Sequence, residues 1–295
     1  VTRVAAIDLG TNSTRLLVAD VVNGRVEDVV RRSVVTRLGE GVDARRVLLP
    51  TAIARVRNTL TDFRRELDAL GVERTLAIAT SAVRDAENGE AFLGEIEWSY
   101  GFATRLLSGH AEAELTRIGV GALADGSLVL DVGGGSTELI AGELRTSLDV
   151  GSVRITERFL HSDPPTEAEL DEAARYVRGQ LPDLEVREAI AVGGTAGQLS
   201  ELAGSDELAF EEVERLEGEL AKLPLEERRK VPRLDPERAL MIVGGAAIVA
   251  EVLRHYGLDR ARYSVRDLLD GAALEAASLP EPDEGEAPPG AYTCC

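Results

Sequence analysis

Two glycine-rich turns in this chain carry residue types suited to holding phosphate. The first reads Asp8-Leu-Gly-Thr-Asn-Ser-Thr-Arg-Leu-Leu17 and the second Asp131-Val-Gly-Gly-Gly-Ser-Thr-Glu-Leu-Ile140. Laid with Asp8 on Asp131, they agree at Gly10/Gly133, Ser13/Ser136, Thr14/Thr137 and Leu16/Leu139, and each follows an apolar run that ends at the aspartate. Glycine lets backbone N–H groups approach an anion with no Cβ in the way, and the hydroxyls add donors. One Gly-Gly-Gly stretch alone reads equally well as a flexible loop. Two copies at matched positions point instead to two cradles for one phosphate-bearing ligand: Gly10, Thr11, Asn12 and Ser13 in the first, Gly133, Gly134, Gly135, Ser136 and Thr137 in the second. An ionised Asp8 or Asp131 at the end of an apolar strand needs a partner or a metal. Mg²⁺ takes carboxylate oxygens and keeps several waters, and Glu138 can bring a second carboxylate to the ion at Asp131. A capping or hydrogen-bonding carboxylate is the other reading of these acids.

The position after Ser-Thr differs between the copies, Arg15 in the first and Glu138 in the second. The second turn therefore supplies the extra carboxylate for a metal, and the first mainly donors. No Gly-x-x-x-x-Gly-Lys-Ser/Thr stretch is present, and no dinucleotide Gly-x-Gly-x-x-Gly follows the first strand. The histidines, His110, His161 and His255, are scattered, so a covalent serine mechanism has little support.

Composition narrows the partners. A formal charge of −19 over 295 residues argues against a broad nucleic-acid footprint. Only Lys222 and Lys230 are lysines among 33 basic residues, so an anionic substrate must be met by arginines, backbone N–H groups or a cation. The 44% apolar fraction suits a soluble globular protein, and with aromatics at 4% its cores must be aliphatic. Cys294 and Cys295 are adjacent and lack metal-ligand spacing. The chain enters a strand at once, without a charged and apolar leader, and its longest apolar run, residues 239–250, is too short to span a bilayer. A soluble, cytoplasmic protein without membrane partners is expected.

The elements that must position these turns follow from periodicity. Strands are expected at residues 4–7, 16–22 and 25–32, the last two joined by Asn23-Gly24, a hairpin signal. Ile53, Val56, Leu60, Phe63, Leu67 and Leu70 fall on helical spacing, and Gly71 stops that helix. A buried strand at 76–79 delivers Thr80 to Arg84 at its carboxyl end, where open α/β sheets place ligands. A short helix at 88–94, a strand at 103–107 and a helix at 111–121 complete the first half. Strands at 128–131, 138–141 and 144–150 restart the pattern, so Gly126-Ser127 reads as the boundary. Thr166 and Glu169 form a capping-box signature. A strand at 189–192 leads into a third glycine turn, Gly193-Gly194-Thr195, which opens a helix. Helices are expected at 210–223, 236–256 and 265–277. The duplication sets two α/β domains, 1–125 and 126–279, and residues 280–295 read as a disordered tail.

Five motifs together, Asp8-Leu-Gly-Thr-Asn-Ser, Ala79-Thr-Ser-Ala-Val-Arg84, Ser108-Gly-His-Ala-Glu-Ala113, Asp131-Val-Gly-Gly-Gly-Ser-Thr-Glu138 and Gly193-Gly-Thr195, resemble in order and spacing the exopolyphosphatase and guanosine pentaphosphate phosphatase family. That family lies in the actin, sugar kinase and heat-shock-chaperone ATPase superfamily. The resemblance implies two ribonuclease H-like domains with an interdomain cleft, a hydrolase acting on polyphosphate or guanosine pentaphosphate, and a homodimer. It puts the catalytic glutamate at Glu112 and a phosphate-gripping arginine at Arg84. It puts the metal, Mg²⁺ or Mn²⁺, at Asp131 and Glu138, and phosphate at Asn12, Ser13, Gly134, Gly135 and Ser136; Asp8, at the end of its own strand, is a further candidate for the metal, and Gly193, Gly194 and Thr195 for phosphate. One departure stands out: His110-Ala111 occupies positions where the family often carries acids. Glu112 falls in the first turns of a helix, where partial desolvation can lift a carboxylate toward a general base's range. A solvated helix glutamate is the plain alternative. A kinase of the same superfamily and a non-catalytic phosphate or alarmone sensor are the competing functions.

Overall fold

In a computed structural model of the chain, residues 1–280 are described. They divide into two compact units, Val1–Gly119 together with the segment that begins at Leu268, and Val120–Asp267.

The first unit is built on strands β1 (Thr2–Leu9), β2 (Ser13–Val22), β3 (Arg25–Val35), β4 (Arg74–Ala79) and β5 (Ala103–Leu106), in the order β3-β2-β1-β4-β5. The first three are antiparallel neighbours, and β4 and β5 run parallel to β1. Asn23 and Gly24 both have positive φ, the twist a two-residue hairpin requires. Alternate residues of the central strands feed two cores. Ala5, Ile7, Leu16, Val18 and Ala77 pack with Val56, Leu60, Phe63 and Leu67 of helix Pro50–Leu70. Proline opens that helix and Gly71, at φ 65, caps it. On the other face, Val4, Ala6, Leu17, Leu76 and Ile78 meet Leu115 of helix Gly109–Val120 and Leu268, Leu269, Ala272 and Ala273 of helix Leu268–Ala276.

The second unit repeats the plan with β6 (Ser127–Val132), β7 (Thr137–Ala141), β8 (Leu144–Leu148), β9 (Glu188–Val192), β10 (Glu207–Ala209) and β11 (Arg260–Tyr263), in the order β10-β11-β9-β6-β7-β8. β6, β7 and β8 are antiparallel neighbours, and β9 and β11 continue parallel to β6. The strands β8-β7-β6-β9-β11 thus copy β3-β2-β1-β4-β5 in order and direction, the ribonuclease H-like arrangement, and β10 adds an antiparallel edge. Helix Ile242–Tyr256 is buried continuously from Ile242 to Leu253, as expected of a helix apolar all round. The capping box at Thr166 and Glu169 forms as the spacing predicted.

Several expectations are corrected. The first unit ends at Gly119 rather than at residue 125, and the last helix belongs to it rather than to the second domain. The reason is packing: without that helix the apolar face of Val4, Ala6 and Leu17 would lie open. Contact is close, since a Cβ on Gly271 would fall 2.0 Å from the Leu115 carbonyl oxygen. The helix expected at 236–256 begins at Ile242, because residues 235–241 form turns closed by Arg238 N–H to Asp235 O and Met241 N–H to Arg238 O. The helix expected at 88–94 runs to Tyr100 and is capped by Gly101 at φ 66. Helix Ser152–Phe159 and strands β10 and β11 had no counterpart in the expectation. The proposed tail, past Pro280, and the two cysteines lie outside the described residues. Among the described residues no helix is long and apolar enough to cross a membrane.

Candidate active site

In the first unit the β1–β2 turn is closed by Gly10 N–H donating to Ser13 O at 3.2 Å. Its outward carbonyls are taken up by the segment after β3. Thr36 and Arg37 N–H donate to Asn12 O at 3.0 and 2.8 Å, and Gly39 N–H donates to Thr11 O at 2.8 Å. A Cβ on Gly39 would fall 2.2 Å from Thr11 Cγ2, so this approach needs glycine. With the carbonyls committed, the Thr11 and Asn12 N–H groups have no protein acceptor among the described residues. The buried Oδ1 of Asn12 has no partner either. The two N–H groups are donors of the kind an anion requires. The supporting segment was missed by sequence reasoning. Its one local oddity, Arg37 at φ 48, shows only in the backbone.

Asp8 does not stand alone at the strand end. Arg15, its cross-strand partner, donates through Nε at 2.9 Å and lies within 2.8 Å through Nη2, both to Oδ2. The guanidinium offsets charge at Oδ2 of the carboxylate.

Arg84 and Glu112 come together in the same unit. β4 ends at Ala79, and helix Ser81–Asp85 carries Arg84, whose Nη1 donates to Leu107 O at 2.9 Å and to Glu112 Oε2 at 3.3 Å. Ser108 sets the start of the glutamate's helix, accepting from Ala111 N–H at its Oγ and from Glu112 N–H at its carbonyl. The Glu112 side chain is buried, while His110 beside it is exposed.

The second unit builds its turn the same way, with Gly133 N–H donating to Ser136 O at 3.0 Å. Helix Ser152–Phe159 plays the part of the segment after β3. Ser152 and Val153 N–H donate to the Gly133 and Gly134 carbonyls at 2.9 and 2.8 Å, and Arg154 Nε donates to Gly135 O at 2.8 Å. A Cβ on Gly151 would fall 2.4 Å from Gly134 O. The Gly134 and Gly135 N–H groups have no acceptor among the described residues. The third glycine turn approaches Asp131: Gly193 sits at φ 78, and a Cβ there would fall 2.3 Å from Asp131 Oδ1. A Cβ on Gly194 would fall 2.6 Å from Arg238 Nη1. Two hydroxyls expected on phosphate donate elsewhere. Thr195 Oγ1 donates to Val132 O at 2.9 Å and Thr137 Oγ1 to Val150 O, so both hold the scaffold.

Asp131 and Glu138 are direct partners across β6 and β7, and both are buried. Like charges directly opposite on a sheet repel, so the pair favours a cation. Ser147 Oγ donates to Glu138 Oε1 at 2.7 Å. Among the described residues no group of three His, Cys, Asp or Glu side chains forms a metal site by itself. Two carboxylates nevertheless fit Mg²⁺, which commonly takes one or two and completes its sphere with water and phosphate oxygens.

Residues 17–278 match the family described as the Ppx/GppA phosphatase family. Exopolyphosphatase 2 of Mycobacterium tuberculosis is 40% identical over 315 aligned residues, covering 94% of this chain and 99% of that protein. A guanosine-5'-triphosphate,3'-diphosphate pyrophosphatase of Aliivibrio fischeri is 29% identical over 86% of this chain, which spans 55% of that protein. Among solved structures, an exopolyphosphatase-like protein matches with a TM-score of 0.87 at 32% identity, over 93% of this chain and 97% of the other. An exopolyphosphatase from Cytophaga hutchinsonii matches at 0.84 and 27% identity, over 92% and 96%. The duplicated donor turns, the Arg84–Glu112 pair and the extent of these matches lead to one assignment: the chain belongs to the Ppx/GppA phosphatase family.

Proposed function

We propose that this chain is a phosphoanhydride hydrolase that removes the terminal phosphate of inorganic polyphosphate, guanosine pentaphosphate, or both. The observation that carries the reading is the buried Glu112 carboxylate hydrogen-bonded to Arg84, a base and a phosphate-gripping cation fixed together at 3.3 Å. Glu112 takes a proton from water as the water oxygen bonds to the terminal phosphorus. The bridging P–O bond breaks and its electron pair leaves with the shortened chain. Arg84 and the N–H groups of Thr11, Asn12, Gly134 and Gly135 hold phosphate oxygens, where preorganised donors matter most. Ser13, Ser136, Gly10, Gly133, Gly193 and Gly194 shape the turns around them. Asp131 and Glu138 would hold Mg²⁺, or Mn²⁺ in its place, and the bound ion supplies neutralisation of charge on the phosphates. Asp8 serves the first turn through Arg15. The enzyme is cytoplasmic and acts as a homodimer.

Polyphosphate is the first substrate to test, because the 40% identical relative named for it is matched over 99% of its length. Glu112→Gln keeps the shape and removes the base, and phosphate release from polyphosphate should fall by a factor of about 10²–10⁴. Release at the parent rate would refute the role of Glu112. Tight binding of both compounds by the parent protein without turnover would mark a sensor instead of an enzyme.

A further inference from the structure

We propose that Ser147 is a positioning residue for the carboxylate pair of the second unit, holding Glu138 in the orientation that divalent-cation binding needs. The inference rests on the metal reading of Asp131 and Glu138 given above.

The basis is a row of cross-strand partners that occurs twice. On β1, β2 and β3, Asp8 pairs with Arg15 and Arg15 with Ser33. On β6, β7 and β8, Asp131 pairs with Glu138 and Glu138 with Ser147. On the parallel side each aspartate has an aliphatic partner, Ile78 and Val192. The two rows agree at the aspartate and the serine, and the residue between them reverses its charge. In the first row the arginine answers the aspartate. In the second, two buried carboxylates face one another, and the edge-strand serine donates to Oε1 of the central one at 2.7 Å.

Direct cross-strand partners lie on one face of a sheet, so Ser147 reaches Glu138 from the side away from Asp131. The last torsion of a glutamate is broad, so a bond to one oxygen sets the orientation of the whole carboxylate. A hydroxyl does this without placing positive charge beside a cation, whereas a guanidinium, the choice at Arg15, would compete with the ion. Hydrogen bonds from outside the coordination sphere commonly decide metal affinity by a factor of about 10–100.

The test compares Ser147→Ala and Ser147→Thr with Ser33→Ala, which removes a serine from the matching place in the other row. Mn²⁺ is titrated into the full chain with inorganic phosphate present and followed by electron paramagnetic resonance. In parallel, the Mg²⁺ concentration for half-maximal phosphate release is measured. Ser147→Ala should weaken Mn²⁺ binding and raise the Mg²⁺ midpoint by on the order of tenfold, with kcat at saturating Mg²⁺ changed much less. Ser147→Thr keeps the hydroxyl and should restore both values, and Ser33→Ala should leave them at the parent level. Parent-like Mn²⁺ binding by Ser147→Ala overturns the proposal. So does an equal loss in Ser33→Ala, which would mean edge-strand packing alone, and so does a parent protein that binds no Mn²⁺. A parent that binds Mn²⁺ but releases no phosphate defeats the hydrolase reading, while the Mn²⁺ comparison still decides the role of Ser147.

Discussion

Gly193→Ala tests how tightly the third glycine turn is built onto the carboxylate pair. Gly193 sits at φ 78, where an L-residue costs about 1–2 kcal/mol. The added Cβ would fall 2.3 Å from Asp131 Oδ1, and ordinary contact begins at 3.4 Å, so the carboxylate has to retreat by about 1 Å. A misplacement of about 1 Å in an aligned site costs on the order of 10² in rate. Strain and displacement can be separated, because Gly257 also sits at positive φ, 63, with nothing within 4 Å of its Cβ position. Gly257→Ala therefore reports the strain alone. Both variants should lose about 1–2 kcal/mol of stability in thermal or urea unfolding. Only Gly193→Ala should lose on the order of 100-fold in kcat/KM for phosphate release, with a raised Mg²⁺ requirement. If the two variants keep the same activity, Asp131 is not part of the machinery, or the turn relaxes without moving it.

Two further outcomes follow from buried groups. Desolvation pushes the Glu217 carboxyl up to about 7 from 4.5, against the pull of Arg254 and with the push of Glu214. The folded state thus holds this proton more tightly than the unfolded chain does, so its stabilising effect is complete below about pH 4.5 and is lost as pH rises through about 7, a swing of about 3 kcal/mol. Glu217→Gln should unfold like the parent at pH 4 and at a higher temperature at pH 8. An unchanged difference between the two pH values would refute it. Leu269→Ala, at a side chain 1% exposed in the core with Val4, Ala6 and Ile78, should cost about 2–5 kcal/mol. The loss should show as faster amide exchange in β1, β2 and β4, and loosening of β6 and β9 instead would contradict the packing of the last helix.

Much of the site was legible because its signals are local. Glycine at positions 10 and 133 and the Ser-Thr pairs that follow report turns whose closing bonds, Gly10 to Ser13 and Gly133 to Ser136, span four residues. Helix Pro50–Leu70 was legible at both ends because proline and glycine act on their own backbone. Arg84 and Glu112 were assigned their roles separately, through resemblance, and their contact was not foreseen, since nothing local joins residues 28 apart. Helix Ser152–Phe159 went unread because its role lies in its N–H groups meeting carbonyls of Gly133 and Gly134, a partnership that its own side chains do not encode.

The sequence by itself determined that this is a duplicated α/β protein with two phosphate-suited turns, and that their copies differ in charge at Arg15 and Glu138. Those properties depend on residue type and short spacing, which act within a few residues. Tertiary structure decided what the charge difference does, by setting Arg15 against Asp8 and Glu138 against Asp131 in strand register. It also decided which threonines serve the scaffold, and to which unit the last helix returns. Strand register, carbonyl acceptors and the covering of an exposed apolar face arise only when distant segments meet, and no local pattern carries them.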